Sequence, residues 1–174
     1  MRNRPIFTSD NRFEGRLISM NTLIEFIMLI IVLAVTYAVG YAGPKVSDWY
    51  AALKKPSFTP GSYVFPIVWI ALYSQMAAAA FLVWTFGITT RYVATGLAFY
   101  IIQLGLNYFW SVIFFGWHSL LGAFIEILFL WIFIILTMSA FFRVYRPAGV
   151  LMIPYLLWVT YAIAINGYVW QMNK

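Results

Sequence analysis

Apolar residues in this chain fall in long unbroken runs, not in the stripes of a soluble helix or the alternation of a half-buried strand. Five runs stand out, at about 22–42, 64–87, 92–115, 119–142 and 148–170. Each is as long as the roughly 20 residues that cross about 30 Å of hydrocarbon. Between Leu23 and Trp170 the charged residues are Glu25, Lys45, Asp48, Lys54, Lys55, Arg91, Glu126, Arg143 and Arg146, and only Glu25 and Glu126 lie inside an apolar run. A water-soluble fold needs a charged surface, so this pattern excludes one. In lipid a span must satisfy its own backbone hydrogen bonds, which leaves helices or closed barrels, and the runs lack a barrel strand's alternation. The pattern predicts an all-α membrane protein, a five-transmembrane-helix bundle. It forms one membrane domain over 21–174, behind a basic N-terminal tail over 1–20 that is expected to be mobile or to lie at the membrane surface.

The breaks between runs differ in kind. The first, from Gly43 to Ser62, is long and carries Pro44, Pro56 and Pro60. The second, near Gly87–Arg91, and the third, Gly116-Trp117-His118, are short and force neighbouring helices to run antiparallel. In the fourth, Arg143–Pro147, the proline suits the first turn of the next helix. Pro66 and Pro154 fall inside spans, where a ring frees a carbonyl and neighbouring groups re-satisfy it. Ala38-Val39-Gly40 has the small residues of a secretory cleavage site. The basic lead-in and apolar run before it are too long for a signal peptide, which favours a retained first span.

Composition sharpens this reading. The 174 residues are 64% hydrophobic and 9% charged, with a mean hydropathy of +0.86. Too little polar sequence is left for a separate soluble domain. The 21% aromatic content exceeds what two interfacial belts require, so some rings are expected to line an interior. There is no Cys, which removes disulfides, thiolate metal sites and thiol catalysis. The net charge of +6 is scattered over short segments flanking the spans. It forms no groove for nucleic acid, and anionic lipid headgroups are the expected counterpart. Five spans place the termini on opposite sides. Arg2, Arg4, Arg12, Arg16, Arg91, Arg143 and Arg146 collect on the N-terminal side, against Lys45, Lys54, Lys55 and Lys174 on the other. The positive-inside rule then puts the N-terminus in the cytoplasm, if the membrane is an inner one.

The long first loop is the most specific stretch. It runs Asp48-Trp49-Tyr50-Ala51-Ala52-Leu53-Lys54-Lys55-Pro56-Ser57-Phe58-Thr59-Pro60. Proline lowers the entropy cost of holding such a segment in one shape. Two readings fit: a lid over an apolar cavity, or an interfacial belt whose lysines face headgroups. Composition alone slightly favours the belt.

This stretch, followed by Val64-Phe65-Pro66-Ile67-Val68-Trp69, resembles the signature of the TspO/translocator protein family, also called tryptophan-rich sensory proteins or peripheral benzodiazepine receptors. Gln103-Leu104-Gly105-Leu106-Asn107-Tyr108-Phe109-Trp110-Ser111 resembles the family's third-span motif. Pro154-Tyr155-Leu156-Leu157-Trp158-Val159-Thr160-Tyr161-Ala162 resembles the fifth. The resemblance is collinear over about residues 22–173. It implies a five-helix bundle, often dimeric, with an apolar pocket under the first loop. It also implies binding of porphyrin or haem-type tetrapyrroles, of sterols in some members, and of synthetic benzodiazepine- or isoquinoline-type ligands. No obligatory cofactor follows. The expected partners are the lipid bilayer, a second copy of the chain, and a porphyrin or other apolar small molecule, with no nucleic acid. The expected location is a bacterial cell envelope.

Matched by motif, the ligand-binding candidates are Trp49, Tyr50, Trp69, Gln103, Asn107, Trp110, Trp158 and Ala162, with Lys54, Lys55, Pro56 and Phe58 as the lid. The residue chemistry agrees. A flat tetrapyrrole wants aromatic faces, a few amides and most of its surface buried. Gln103 and Asn107 are four apart and share a helix face with Trp110. In-span amides point into a bundle either as pocket lining or as interhelical glue. Lys54 or Lys55 is a candidate partner for a propionate. Some positions depart from the family pattern. Pro60 is followed by Gly61-Ser62-Tyr63, Phe58 stands where Trp is frequent, and Val112 stands where Pro is common after the third-span Trp. The sterol motif around Tyr168 is incomplete, so sterol binding is not expected.

Glu126 sits in the first half of the fourth run. An intramembrane carboxylate is costly and marks function by default. A protonated or helix-bonded acid is favoured over a proton relay, because no second ionisable group at that depth completes one. His118, the only histidine, lies in a turn and is not expected to ligate iron. Ala77-Ala78-Ala79-Ala80, with Ala94 and Ala98, would let helices or a second copy approach closely. The functions in view are tetrapyrrole binding with a sensing, receptor or transport role, light-dependent porphyrin degradation, and transport of another small lipophile.

Overall fold

A computed structural model describes residues 9–44 and 48–174, with side-chain surroundings from residue 22 onward. Lys45 lies outside the described residues. Among the described residues seven α-helices form: α1 Ser9–Tyr41, α2 Asp48–Ala52, α3 Val64–Trp84, α4 Arg91–Ser111, α5 Leu120–Val144, α6 Arg146–Leu151 and α7 Ile153–Met172. Five spans follow: Thr22–Tyr41, Val64–Trp84, Arg91–Gly116, Leu120–Val144 and Arg146–Met172, each long and apolar enough to cross a bilayer. The protein is therefore an all-helical five-span bundle. Helix α1 begins at Ser9, so part of the basic segment ahead of the first apolar run continues the first span as helix.

The boundaries have local causes. Gly87, at φ +84, closes the end of α3 in the left-handed region where glycine pays no Cβ penalty. The Ser119 hydroxyl accepts from the Gly122 N–H at 3.2 Å and caps α5. Pro147 falls in the first turn of α6, as its position predicts. Pro154 cannot donate into the ladder, so the fifth span breaks at Met152 into α6 and α7. The third span ends differently. At Val112, where the family pattern carries proline, the N–H bonds back to the Tyr108 carbonyl and the helix continues. It then widens into one π turn over Val112–Gly116, closed by Trp117 N–H to Val112 O at 2.9 Å.

Around the bundle the order is α1, α3, α6 with α7, α5, α4, back to α1, and α3 also reaches across to α4 and α5. The core follows this order: Met76, Ala79, Ala80 and Val83 of α3, Val93 and Tyr100 of α4, Ile134 and Phe141 of α5, and Met152 and Tyr155 at the bend. Small residues set the helix separations. Ala77, Ala79 and Ala80 are fully covered. At Gly96 an added Cβ would stand 3.0 Å from the Phe141 ring and 3.2 Å from the Ala140 Cβ, so α4 and α5 touch nearly backbone to backbone. Little of α1's apolar window is covered by the bundle. It is held by the Thr36 hydroxyl bonded to the Tyr100 hydroxyl at 2.7 Å, and by the Tyr37 hydroxyl donating to the Ile70 carbonyl at 2.9 Å.

Gly96→Leu should force α4 from α5. Overpacking of this kind costs about 1–3 kcal/mol. It should appear as a lowered unfolding temperature in detergent, whereas a leucine at Gly105, with open space around its Cβ position, should leave that temperature unchanged.

Candidate functional site

The first loop folds down over one end of the bundle and is fastened there. Lys55 secures it from within: its ammonium donates to the carbonyls of Tyr50 at 2.6 Å, Leu53 at 3.0 Å and Ala51 at 3.3 Å. It also lies 4.4 Å from the centre of the Tyr50 ring. These bonds satisfy the carbonyls that the short α2 leaves open. They also engage all three N–H donors of the ammonium, which leaves Lys55 no free donor for a propionate in this arrangement. Lys54 is exposed and remains available. Its backbone clasps the end of α7: the Lys54 N–H donates to Asn173 Oδ1, and Asn173 Nδ2 donates to the Lys54 carbonyl, both at 2.9 Å. Pro56 is buried, while Phe58 is partly exposed with its ring against Tyr168 and Tyr161. The Tyr161 hydroxyl donates to the Phe58 carbonyl.

Beneath this roof the predicted residues separate into two aromatic groups. In the first, Trp49 stacks on His118 at 4.2 Å and meets Phe114 edge-on at 5.7 Å. Tyr50 meets Phe114 and Phe115. Trp110 stacks on Phe114 at 5.1 Å, and its indole N–H donates to Asn166 Oδ1 at 3.2 Å. His118 holds φ +54 in the α4–α5 turn, which aims its ring at the roof. In the second group, Trp69 stacks on Tyr73 at 5.2 Å and reaches Tyr155 edge-on. Trp158 meets Phe65 and Tyr161. Ala162 packs against the core nearby, and its carbonyl accepts from Asn166 Nδ2.

Asn107 joins three helices at this level. Its Oδ1 accepts from the Tyr73 hydroxyl at 2.8 Å, and its Nδ2 donates to the Tyr155 hydroxyl at 3.0 Å. Asn107 is therefore interhelical glue in this arrangement. Gln103, one turn away, is fully buried, and neither of its amide atoms has a hydrogen-bond partner among the described residues. Glu126 is buried on α5, and neither of its oxygens has one either, so of the two states expected for it, protonated or helix-bonded, the structure does not show the helix-bonded one. An open cleft of about 560 Å³ lies between α3 and α7, walled by Ile67, Val68, Ala71, Leu72 and Gln75 on one side and Pro154, Leu157, Trp158 and Tyr161 on the other. Of the motif-matched ligand residues, only Trp158 lines it.

Tyr73, Tyr155, Asn166 and Asn173 were not among the candidate site residues, although Tyr155 and Asn166 fall in the stretches that resemble the fifth-span motif. The first two carried a signal. Tyr73 lies one turn after Trp69, and Tyr155 follows Pro154 inside the fifth-span motif. Asn173 carried none, because its partner Lys54 is 119 residues away.

Burial pushes the Tyr50 phenol above its ordinary value of 10.0. Its docked form thus favours the neutral ring. The stability this lends the roof is complete below pH 10 and is lost as pH rises through the raised value. In an alkaline titration followed by phenolate absorbance, Tyr50→Phe should reduce the amplitude of the late-ionising phase by one tyrosine. Asn173→Ala deletes both bonds of the clasp. It should speed tryptic cleavage after Lys54 several-fold, with the unfolding temperature of the spans little changed.

The comparisons with known proteins agree over most of the chain. A profile of the TspO/MBR family matches residues 26–171. Tryptophan-rich protein TspO of Chlorobaculum tepidum is 41% identical over 154 residues, covering 86% of this chain and 98% of the relative. Protein CrtK of Rhodobacter capsulatus is 38% identical, covering 72% of this chain and 78% of the relative. The human translocator protein is 36% identical, covering 72% and 75%. With five spans, a tryptophan-bearing roof and this match, the chain is an integral membrane protein and belongs to the TspO/MBR family.

Proposed function

We propose that this protein binds a flat, largely apolar tetrapyrrole of the porphyrin type inside the membrane, under the first loop, in a sensing or transport role. The observation that carries the reading is the pinned roof: Trp49 and Tyr50 sit directly on the Trp110–Phe114 stack at the mouth of the bundle. Aromatic faces of this kind receive a planar ring by offset stacking, each pair adding about 0.5–1.5 kcal/mol beyond burial. Trp69 and Trp158 supply further faces deeper down, and the exposed Lys54 stands at the rim where an acidic ring substituent would emerge. Names among the relatives, such as tryptophan-rich sensory protein of Cereibacter sphaeroides and translocator protein of Homo sapiens, favour sensing or transport over catalysis. In the proposed orientation the roof faces away from the cytoplasm, following the Lys/Arg bias. A homodimer belongs to the same reading, with the exposed Ala94 and Ala98 of α4 permitting close approach of a second copy.

Tryptophan quenching by protoporphyrin IX in detergent tests the proposal. Saturable quenching is expected, with affinity at least tenfold weaker in Trp49→Ala and Trp158→Ala and unchanged in Trp84→Phe at the far end of α3. Non-saturable quenching, or equal affinity in all variants, refutes it. Porphyrin loss under light that outpaces a denatured control would move the reading to degradation.

A further inference from the structure

Another cleft opens at the end of the bundle opposite the roof. It holds about 400 Å³ and is walled by Ile24 and Glu25 of α1 and by Trp84, Thr85, Gly87 and Ile88, where α3 ends and the chain turns toward α4. Its place follows from the antiparallel pairing of α1 with α3. Nearer the roof, the Tyr37 hydroxyl bonds to the Ile70 carbonyl and to Ser74, and Gly40 lies against the Tyr73 ring. Running α1 back and α3 forward from that tie sets Glu25 level with Trp84 and Thr85. The apolar stretch of the first span starts at Thr22, and that of the second ends at Trp84. The cleft therefore lies at the membrane surface, at the depth of lipid headgroups.

Its polarity is uneven. Glu25 is exposed and has no ion-pair partner among the described residues. Of the other acids whose surroundings are described, Asp48 belongs to the roof and Glu126 is buried in α5. The Glu25 carboxylate stands beside the C-terminal end of α3, the negative pole of that helix. The last turn of α3 carries no basic residue to offset it. Trp84 lines the same wall, and an indole face attracts cations. Each of these features calls for positive charge. Past the turn the sign reverses. Helix α4 begins at the exposed Arg91, and its N-cap, Thr90, gives no side-chain bond to the first turn. The leading N–H groups of α4 are thus open to an anion. One short turn asks for a cation on one side and an anion on the other.

The apolar surroundings narrow the occupant further. Ile24, Ile27, Ile31 and Val35 share one face of α1 and are each about half exposed. They form a track from the cleft down into the hydrocarbon, which a free amine would leave unused. We propose that this cleft holds the headgroup of a zwitterionic phospholipid with a primary ammonium, of the phosphatidylethanolamine type. The ammonium donates to Glu25 and to carbonyls at the end of α3. The phosphate sits toward Arg91 and the start of α4, and an acyl chain follows the α1 track. A trimethylammonium headgroup has no N–H to give the carboxylate, and a purely anionic headgroup sets like charge against it. The site is independent of the tetrapyrrole reading.

Native mass spectrometry of the detergent-solubilised protein tests this. The full chain is offered equal amounts of phosphatidylethanolamine, phosphatidylcholine and phosphatidylglycerol with matched acyl chains. One phosphatidylethanolamine should be retained per chain, with a preference of about tenfold over either other lipid, as one charge-assisted hydrogen bond supplies. Glu25→Gln should bring that preference close to one, and Trp84→Leu should reduce it several-fold. Asp48→Asn, an exposed acid at the roof, should leave it unchanged. Soluble phosphoethanolamine, which lacks the chains, should not displace the lipid even in large excess. The unfolding temperature of Glu25→Gln should match the wild type, because the side chain is exposed. Equal retention of the three lipids, preference for either of the others, a preference that survives Glu25→Gln, or its loss in Asp48→Asn overturns the site. Displacement by phosphoethanolamine also overturns it, since the ligand would then be a free solute. So does a lowered unfolding temperature in Glu25→Gln, which would show the carboxylate serving the fold.

Discussion

Asn107 is the point on which the arrangement depends. One amide ties α3 through Tyr73 and α7 through Tyr155 to its own helix, α4. In lipid, helices gain little from burying apolar faces against one another, because the solvent is apolar too. Orientation falls to close packing and to a few hydrogen bonds, each worth about 0.6 kcal/mol on average in a membrane protein. A three-helix tie fixes rotation as well as distance. It turns Trp69 onto Tyr73 and sets the faces of α3 and α7 that flank the cleft.

The roof obeys a different constraint. A short helix has more open carbonyls than it can satisfy by itself. Here one lysine closes three of them. The loop is then a compact unit that docks through rings on the α4–α5 turn and through Asn173 on α7. The π turn at Val112–Gly116 serves the same end. Widening the last turn of the third span gathers Phe114 and Phe115 under Trp49 and Tyr50. In the family pattern, proline at the position of Val112 would remove an N–H that here bonds to Tyr108.

Close packing and buried polar groups pull against each other inside the bundle. Small residues and glycine bring α3, α4 and α5 into close contact. Along that seam Gln103 and Glu126 hold polar atoms that the fold itself does not use. Apolar residues there would suit the fold better.

Much of this was legible along the chain. The number, length and helical nature of the spans follow from charge-free runs in a solvent that cannot hydrate a backbone, and that constraint acts residue by residue. Pro147 and Pro154 declare a helix start and a break for the same local reason. The aromatic, proline-bearing first loop and the third- and fifth-span motifs marked which segments meet. Other features arise only when distant segments come together. Lys55 reads as a free cation until its ammonium is seen folded onto its own loop. Asn107 and Gln103, identical in sequence logic and four residues apart, part company: one is bonded on both sides and the other on neither. Asn173 gains its role from a lysine 119 residues away. Composition and periodicity report on the surroundings a residue needs. Partnership depends on where two helices bring their atoms to within about 3 Å, and helix packing, not local pattern, sets that distance.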